Sequence, residues 1–261
     1  EYPAAAGSKR AAAGELPAGM AMVSFTVPSL EPFLSLFVAP PVVLNGVPYD
    51  TRRAGVLVGP SGEHIVGWSP GKMHNAPMPD DVGMHLPTGQ LRMNMHYNNL
   101  QGSTEGNDNS GLEICALKKA NFRPKTAATA TNLSQFLINI PAKAMDLPVT
   151  GSCTVGGTQP VTIISASPHA HKLAHHMKFS VTKAGGETVV MHDADFNFEE
   201  QTAYPLKEPV VVKSGDTITT TCVFSNPGNT AVTFGENTEN EMCFNFAVYY
   251  PMGALSCGLG G

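Results

Sequence analysis

Val210-Val211-Val212-Lys213-Ser214-Gly215-Asp216-Thr217-Ile218-Thr219-Thr220-Thr221-Cys222 reads as a strand, a polar turn and a second strand. β-Branched side chains are stiff at χ1 and pack well on a pleated surface. Here they fill both flanks of Ser214-Gly215-Asp216 almost without interruption. Working outward, short runs of the same kind recur at Met22–Val27, Phe33–Val38, Gly55–Val58, His64–Trp68, Leu91–Tyr97 and Leu112–Leu117. They resume at Gln135–Ile140, Val161–Ser165, Met177–Val181, Thr188–His192, Pro209–Val212 and Phe244–Tyr250. Asn45-Gly46, Pro60-Ser61-Gly62 and Pro87-Thr88-Gly89 punctuate them as turns. No segment beyond about ten residues carries helical periodicity. The expected fold is all-β, with two tandem antiparallel β-sandwich domains of jelly-roll type.

Between the two series, Lys118 to Asn132 holds Pro124 and an Ala/Thr run and loses all alternation. It is read as a boundary, which gives domains over 21–120 and 128–261 behind a flexible, Ala/Gly-rich tail over 1–20. A net charge of −5, with no Lys/Arg cluster interleaved with aromatics, excludes a nucleic-acid footprint. No apolar run reaches the ~20 residues that a membrane-spanning helix needs. The longest, Phe33 to Leu44, is broken by Pro40 and Pro41. The amino terminus lacks the basic-then-apolar plan of a signal peptide. Of five cysteines none forms a CxxC pair, and Cys153, Cys222, Cys243 and Cys257 lie beside strand-like runs. That usage points to disulfides and an oxidising compartment, so a secreted or periplasmic location is expected.

Candidate chemistry sits in Ser167-Pro168-His169-Ala170-His171 and Glu241-Met242-Cys243. Histidines at i and i+2 on a strand project from one face, so both imidazoles can reach one metal. A thioether as third donor would soften such a site toward Cu(I), whereas imidazole accepts both copper oxidation states. Surface His-x-His pairs and core methionines are common, however, and neither half is decisive alone. His175 and His176 follow closely and read as solvated or supporting residues.

These pieces, with Ser214-Gly215-Asp216 running to Cys222, Tyr249-Tyr250-Pro251 and Cys257, resemble the second domain of the type II copper, ascorbate-dependent monooxygenases. The resemblance implies copper held by His169, His171 and Met242, and disulfides Cys222–Cys243 and Cys153–Cys257. It implies O2 as oxidant, ascorbate or another external reductant, and hydroxylation of a C–H bond in a small-molecule substrate.

The N-terminal half matches in part. Leu91-Arg92-Met93-Asn94-Met95-His96-Tyr97 resembles the family strand that gives one histidine to a second, electron-transfer copper, which makes His96 a candidate. The adjacent His-His pair of that second site is missing, since no histidine precedes His64 in this chain. His64, His74 and His85, with Met73, Met78, Met84, Met93 and Met95, are the residues from which such a site could be rebuilt. The carboxylate-anchoring residues of the peptide-amidating members become Ser167, Phe244 and Phe246 here. Those three are substrate-pocket candidates, and they favour an apolar or aromatic substrate over peptidyl-glycine. The alternative to an enzyme is a non-catalytic, secreted copper-binding protein that retains the fold.

Overall fold

The computed structural model describes residues 119–130 and 133–259, together with 20–26, 43–44, 47–48, 54–58, 64–68, 78–86, 92–96 and 111–117. The tail expected over 1–20 and the run Phe33–Val38 fall outside the described residues, apart from Met20 itself. Among the described residues the regular elements are all strands apart from one 3₁₀ turn at Lys119–Asn121, with no α-helix. Contacts divide the chain into two units, Glu1–Asn75 with Gly83–Pro124, and Ala76–Val82 with Lys125–Gly261.

In the first unit, β1 (Met20–Thr26) pairs antiparallel with β8 (Gly111–Leu117), and a short hairpin joins β2 (Val43–Leu44) to β3 (Val47–Pro48). β4 (Ala54–Val58) lies between β5 (His64–Trp68) and β7 (Arg92–His96). His96 closes β7, opposite Ala54.

The second unit is a sandwich. One sheet runs β16 (Thr188–Asp195), β15 (Ala174–Thr182), β18 (Thr217–Phe224), β12 (Leu147–Gly156), β22 (Ser256–Leu259). The other runs β17 (Tyr204–Val212), β13 (Val161–Ala166), β21 (Val248–Tyr250), β9 (Lys125–Thr129), with Val82 of β6 (Val82–Met84) at its edge. Val155, Phe179, Val181 and Ile218 from the first sheet meet Val161, Ile163, Val212 and Tyr249 from the second in one buried cluster. β18 shows why. Its even-numbered residues Ile218, Thr220, Cys222 and Phe224 are buried while the odd-numbered ones are half-exposed, the period of a strand with one face in the core.

Two local departures from the expected strands have physical causes. The Ala/Thr run read as part of the boundary contains β9 (Lys125–Thr129), which pairs Ala128 with Tyr249 and buries Ala127 completely. Small side chains hide such a strand, because they give no contrast between its faces. Gln135–Ile140, read as one strand, breaks into β10 (Ser134–Gln135) and β11 (Asn139–Ile140). Gln135 Oε1 accepts the Leu137 N–H at 2.7 Å, which turns the chain and exposes Phe136 and Leu137.

The turn that joins β17 to β18 carries the chain from one sheet to the other. Gly215 takes φ +91°, open to glycine at little cost. Asp216 accepts N–H bonds from Ala184 and Lys213, both at 3.0 Å, and the Lys183 ammonium at 3.3 Å. Burial pushes the Asp216 carboxyl pKa up, but these donors outweigh it and hold the group below the usual carboxylate range. Its stabilising contribution is therefore complete above the unfolded-state pKa and is lost as pH falls through the folded one. Asp216→Asn is expected to cost about 1–3 kcal/mol near neutral pH. It should also weaken the acid dependence of stability below about pH 4, read by urea unfolding at several pH values.

Candidate metal centre

A small sheet with the order β10, β20 (Cys243–Asn245), β14 (Pro168–Ala170) carries both quoted motifs. β14 and β20 pair antiparallel with Pro168 opposite Asn245, His169 opposite Phe244 and Ala170 opposite Cys243. His171 follows the last residue of β14 and Met242 precedes the first of β20, so both stand just outside the paired residues. Residues directly opposite share a face, so His169 and Phe244 fall on one side. Ala170 and Cys243, on the other side, are fully buried. The two imidazoles lie 5.6 Å apart, centroid to centroid, with planes at 89°. Among the described residues no three His, Cys, Asp or Glu side chains group for a metal, so a site here depends on the Met242 sulfur as third donor.

Contacts behind the rings fix their protonation. Gln201 is buried and donates through Nε2 to the carbonyls of Phe198 (3.0 Å) and Ala170 (3.4 Å). Its Oε1 is thereby left to accept from His169 Nδ1 at 2.6 Å. His171 Nδ1 lies 3.0 Å from the Asn240 carbonyl, which can only accept. Both rings therefore carry their proton on Nδ1, and Nε2 is the donor nitrogen each would offer a metal. Sequence alone does not mark Gln201 or Asn240. They lie 32 and 69 residues from the histidines they orient, and no local pattern sets them apart.

Glu241 joins the segments that carry His171 and Met242. Its side chain is fully buried, with Oε1 accepting the Leu173 N–H at 2.6 Å and Oε2 accepting the N–H groups of His171 at 2.9 Å and Met242 at 3.3 Å. Desolvation pushes its pKa up to about 7, against the pull of those three donors. The disulfide Cys222–Cys243 fixes the residue after Met242 to β18, and Cys153–Cys257 ties β12 to β22.

Aromatic rings surround the histidine face. His169 lies 6.2 Å from Phe244 and 5.7 Å from Phe246, and His171 lies 6.3 Å from Phe198. Phe136 extends the group, 5.2 Å from both Phe244 and Phe234. Ser167 is held by its backbone, donating N–H to Asn245 Oδ1 at 2.8 Å and accepting from the Phe246 N–H at 2.9 Å.

The other histidines make their contacts elsewhere. His175 is exposed and meets Asp146 and Ser225, both at 3.2 Å. His176 is held by Asp193 at 2.8 Å and Asp195 at 3.2 Å, and hydrogen bonds to those carboxylates raise its pKa. A separate cleft of about 150 Å³ is lined by Pro168, His192, Asp195, Gln201 and Tyr204 among others. It reaches the partner of His169 but is not lined by His169, His171 or Met242. The side chains of His96 and of Cys115 lie outside the described residues.

The all-β sandwich brings two imidazoles side by side, each with Nδ1 against an oxygen acceptor, and imidazole and thioether are donor types that suit copper. The chain belongs to the copper type II ascorbate-dependent monooxygenase family, whose C-terminal domain profile matches residues 128–258. It is 29% identical to DBH-like monooxygenase protein 2 of Mus musculus, over 75% of this chain and 34% of that protein. Identity to DBH-like monooxygenase protein 1 of Gallus gallus is 28%, over 66% of this chain and 31% of that one. Dopamine beta-hydroxylase of Rattus norvegicus is 27% identical, over 66% of this chain and 30% of its own length. The chain thus spans about a third of the length of these relatives.

Proposed function

We propose that this chain holds one copper through His169 Nε2, His171 Nε2 and the Met242 sulfur, and hydroxylates a C–H bond of a small apolar or aromatic substrate. The observation that supports the reading is the pair of imidazoles 5.6 Å apart, with Nδ1 of both engaged by oxygen acceptors, and the Met242 backbone tied to that of His171 through Glu241 Oε2. Copper, when bound, supplies the one-electron chemistry that lets O2 oxidise a C–H bond, with ascorbate or a similar reductant as electron source. The balance is R–H, O2, two electrons and two protons giving R–OH and water. The protein's own part is orientation and exclusion of water. Gln201 and Asn240 hold the imidazoles, while Phe244, Phe246 and Phe136 offer rings against which an apolar substrate can stack. No charged side chain among the three substrate candidates Ser167, Phe244 and Phe246 would pair a substrate carboxylate. The two disulfides favour an oxidising compartment, and we assign the chain a secreted or periplasmic location on that basis.

One measurement separates this reading from that of a copper binder without turnover. Purified protein loaded with copper is given ascorbate and O2, with either small aromatic compounds or glycine-extended peptides. We expect about one tightly held copper in the described C-terminal unit, and O2 uptake coupled to hydroxylated product with the aromatic compounds alone. Tight copper with no coupled uptake for any compound would leave the binder standing and remove the enzyme.

A further inference from the structure

Glu241 does more than complete a motif. A carboxylate buried without a cation is costly, and it persists where several donors satisfy it. Here all three donors are backbone N–H groups, and two of them belong to proposed ligands, His171 and Met242. The third, Leu173, lies two residues beyond His171 on the same segment. One side chain therefore clasps the 171–173 backbone while its own backbone continues directly into Met242. The main chain of Glu241 is fixed as well, donating N–H to the Thr233 carbonyl at 3.1 Å and accepting from the Gly235 N–H at 3.2 Å. Neighbouring contacts run the same way, with Asn240 O against His171 Nδ1 and Lys172 Nζ against Glu239 Oε1.

Resting on the copper reading above, we infer that Glu241 is the positioning residue that holds the Met242 thioether in register with the His169–His171 pair. His169 is set by its strand β14 and by Gln201, and the His171 ring has the Asn240 carbonyl as a second hold, so both imidazoles have partners besides Glu241. Met242 stands just before β20, outside the paired residues, and its N–H shares the oxygen Oε2 with that of His171. Loss of that oxygen should release the sulfur more than the imidazoles.

Glu241→Gln keeps the volume, but an amide nitrogen must then face at least one backbone N–H. Glu241→Asp keeps the carboxylate and shortens its reach by one methylene. Each variant of the full chain is first tested for folding by circular dichroism without metal. Cu(I) affinity is then read by competition with a chromophoric chelator, Cu(II) affinity by titration, and the copper–sulfur shell by X-ray absorption. We expect Cu(I) affinity to fall by about 10–100-fold, the usual effect of losing a ligand's supporting partner, with the copper–sulfur shell weakened. Cu(II) affinity should change less. A folded variant with Cu(I) affinity and sulfur shell like the parent overturns the inference. So does failure of both variants to fold, because the carboxylate then serves the fold and not the ligand. If the parent protein itself shows no copper–sulfur shell and is insensitive to Met242→Leu, the copper assignment fails, and this inference with it.

Discussion

Alanine at His169 or His171 is expected to weaken both Cu(I) and Cu(II) by more than the ~10–100-fold that loss of a supporting partner costs. Each substitution removes one of the two nitrogen donors proposed for the copper, whose rings lie 5.6 Å apart. Met242→Leu is expected to behave differently. It keeps the bulk and removes the sulfur, so Cu(I) should weaken while Cu(II) is largely retained, because imidazole serves both oxidation states. Gln201→Leu tests the tautomer argument, since it removes the acceptor 2.6 Å from His169 Nδ1. About 10–100-fold weaker copper is expected there, in both oxidation states. His96→Ala should leave this copper in place, because the three donors all belong to the C-terminal unit. Copper titration under reducing and oxidising conditions reads all five variants. A copper that survives loss of both His169 and His171, or that disappears with His96, would move the site elsewhere.

The candidate imidazole pair was legible because it depends on strand periodicity. His169 and His171 are two residues apart and their rings lie 5.6 Å apart in the fold, whereas Met242 lies just before β20, where periodicity does not place it. The sandwich was legible for the same reason in β18, where alternation and β-branching agree. Tertiary contacts were not. Phe136 and Phe198 come to the histidine face from segments with no periodic link to it, and Gln201 is an ordinary polar residue until its amide is seen to be buried. Glu241 was visible as part of Glu-Met-Cys, but its complete burial and its three N–H donors belong to the fold. β9 and the break at Phe136–Leu137 escaped for opposite reasons. Strand β9 has too little side-chain contrast to show its two faces. At Phe136–Leu137 the apolar residues run on unbroken and do not register the turn made by Gln135.

The two disulfides are expected to separate stability from copper. Cys153–Cys257 closes a span of 104 residues, and a loop of that length restricts the unfolded chain by about 5 kcal/mol in the chain-entropy account. It joins β12 to the edge strand β22, and neither half carries a proposed ligand. Cys222–Cys243 closes only 21 residues, worth about 3 kcal/mol in the same account. It links central strand β18 to β20 beside Met242, within a cluster that includes Ala170, Met177 and Phe224. Replacing both members of the longer bridge by alanine should therefore cost more stability and leave Cu(I) affinity per folded molecule near that of the parent. Removing the shorter one should cost less stability and weaken Cu(I), because Cys243, which pairs with Ala170 and follows Met242, loses its tie to the main sheet. Urea unfolding of the metal-free proteins gives the first ordering, and Cu(I) competition on the folded fraction gives the second. If both pairs reduce copper affinity equally, Met242 is held by the sandwich as a whole and the local bridge has no special part in placing it.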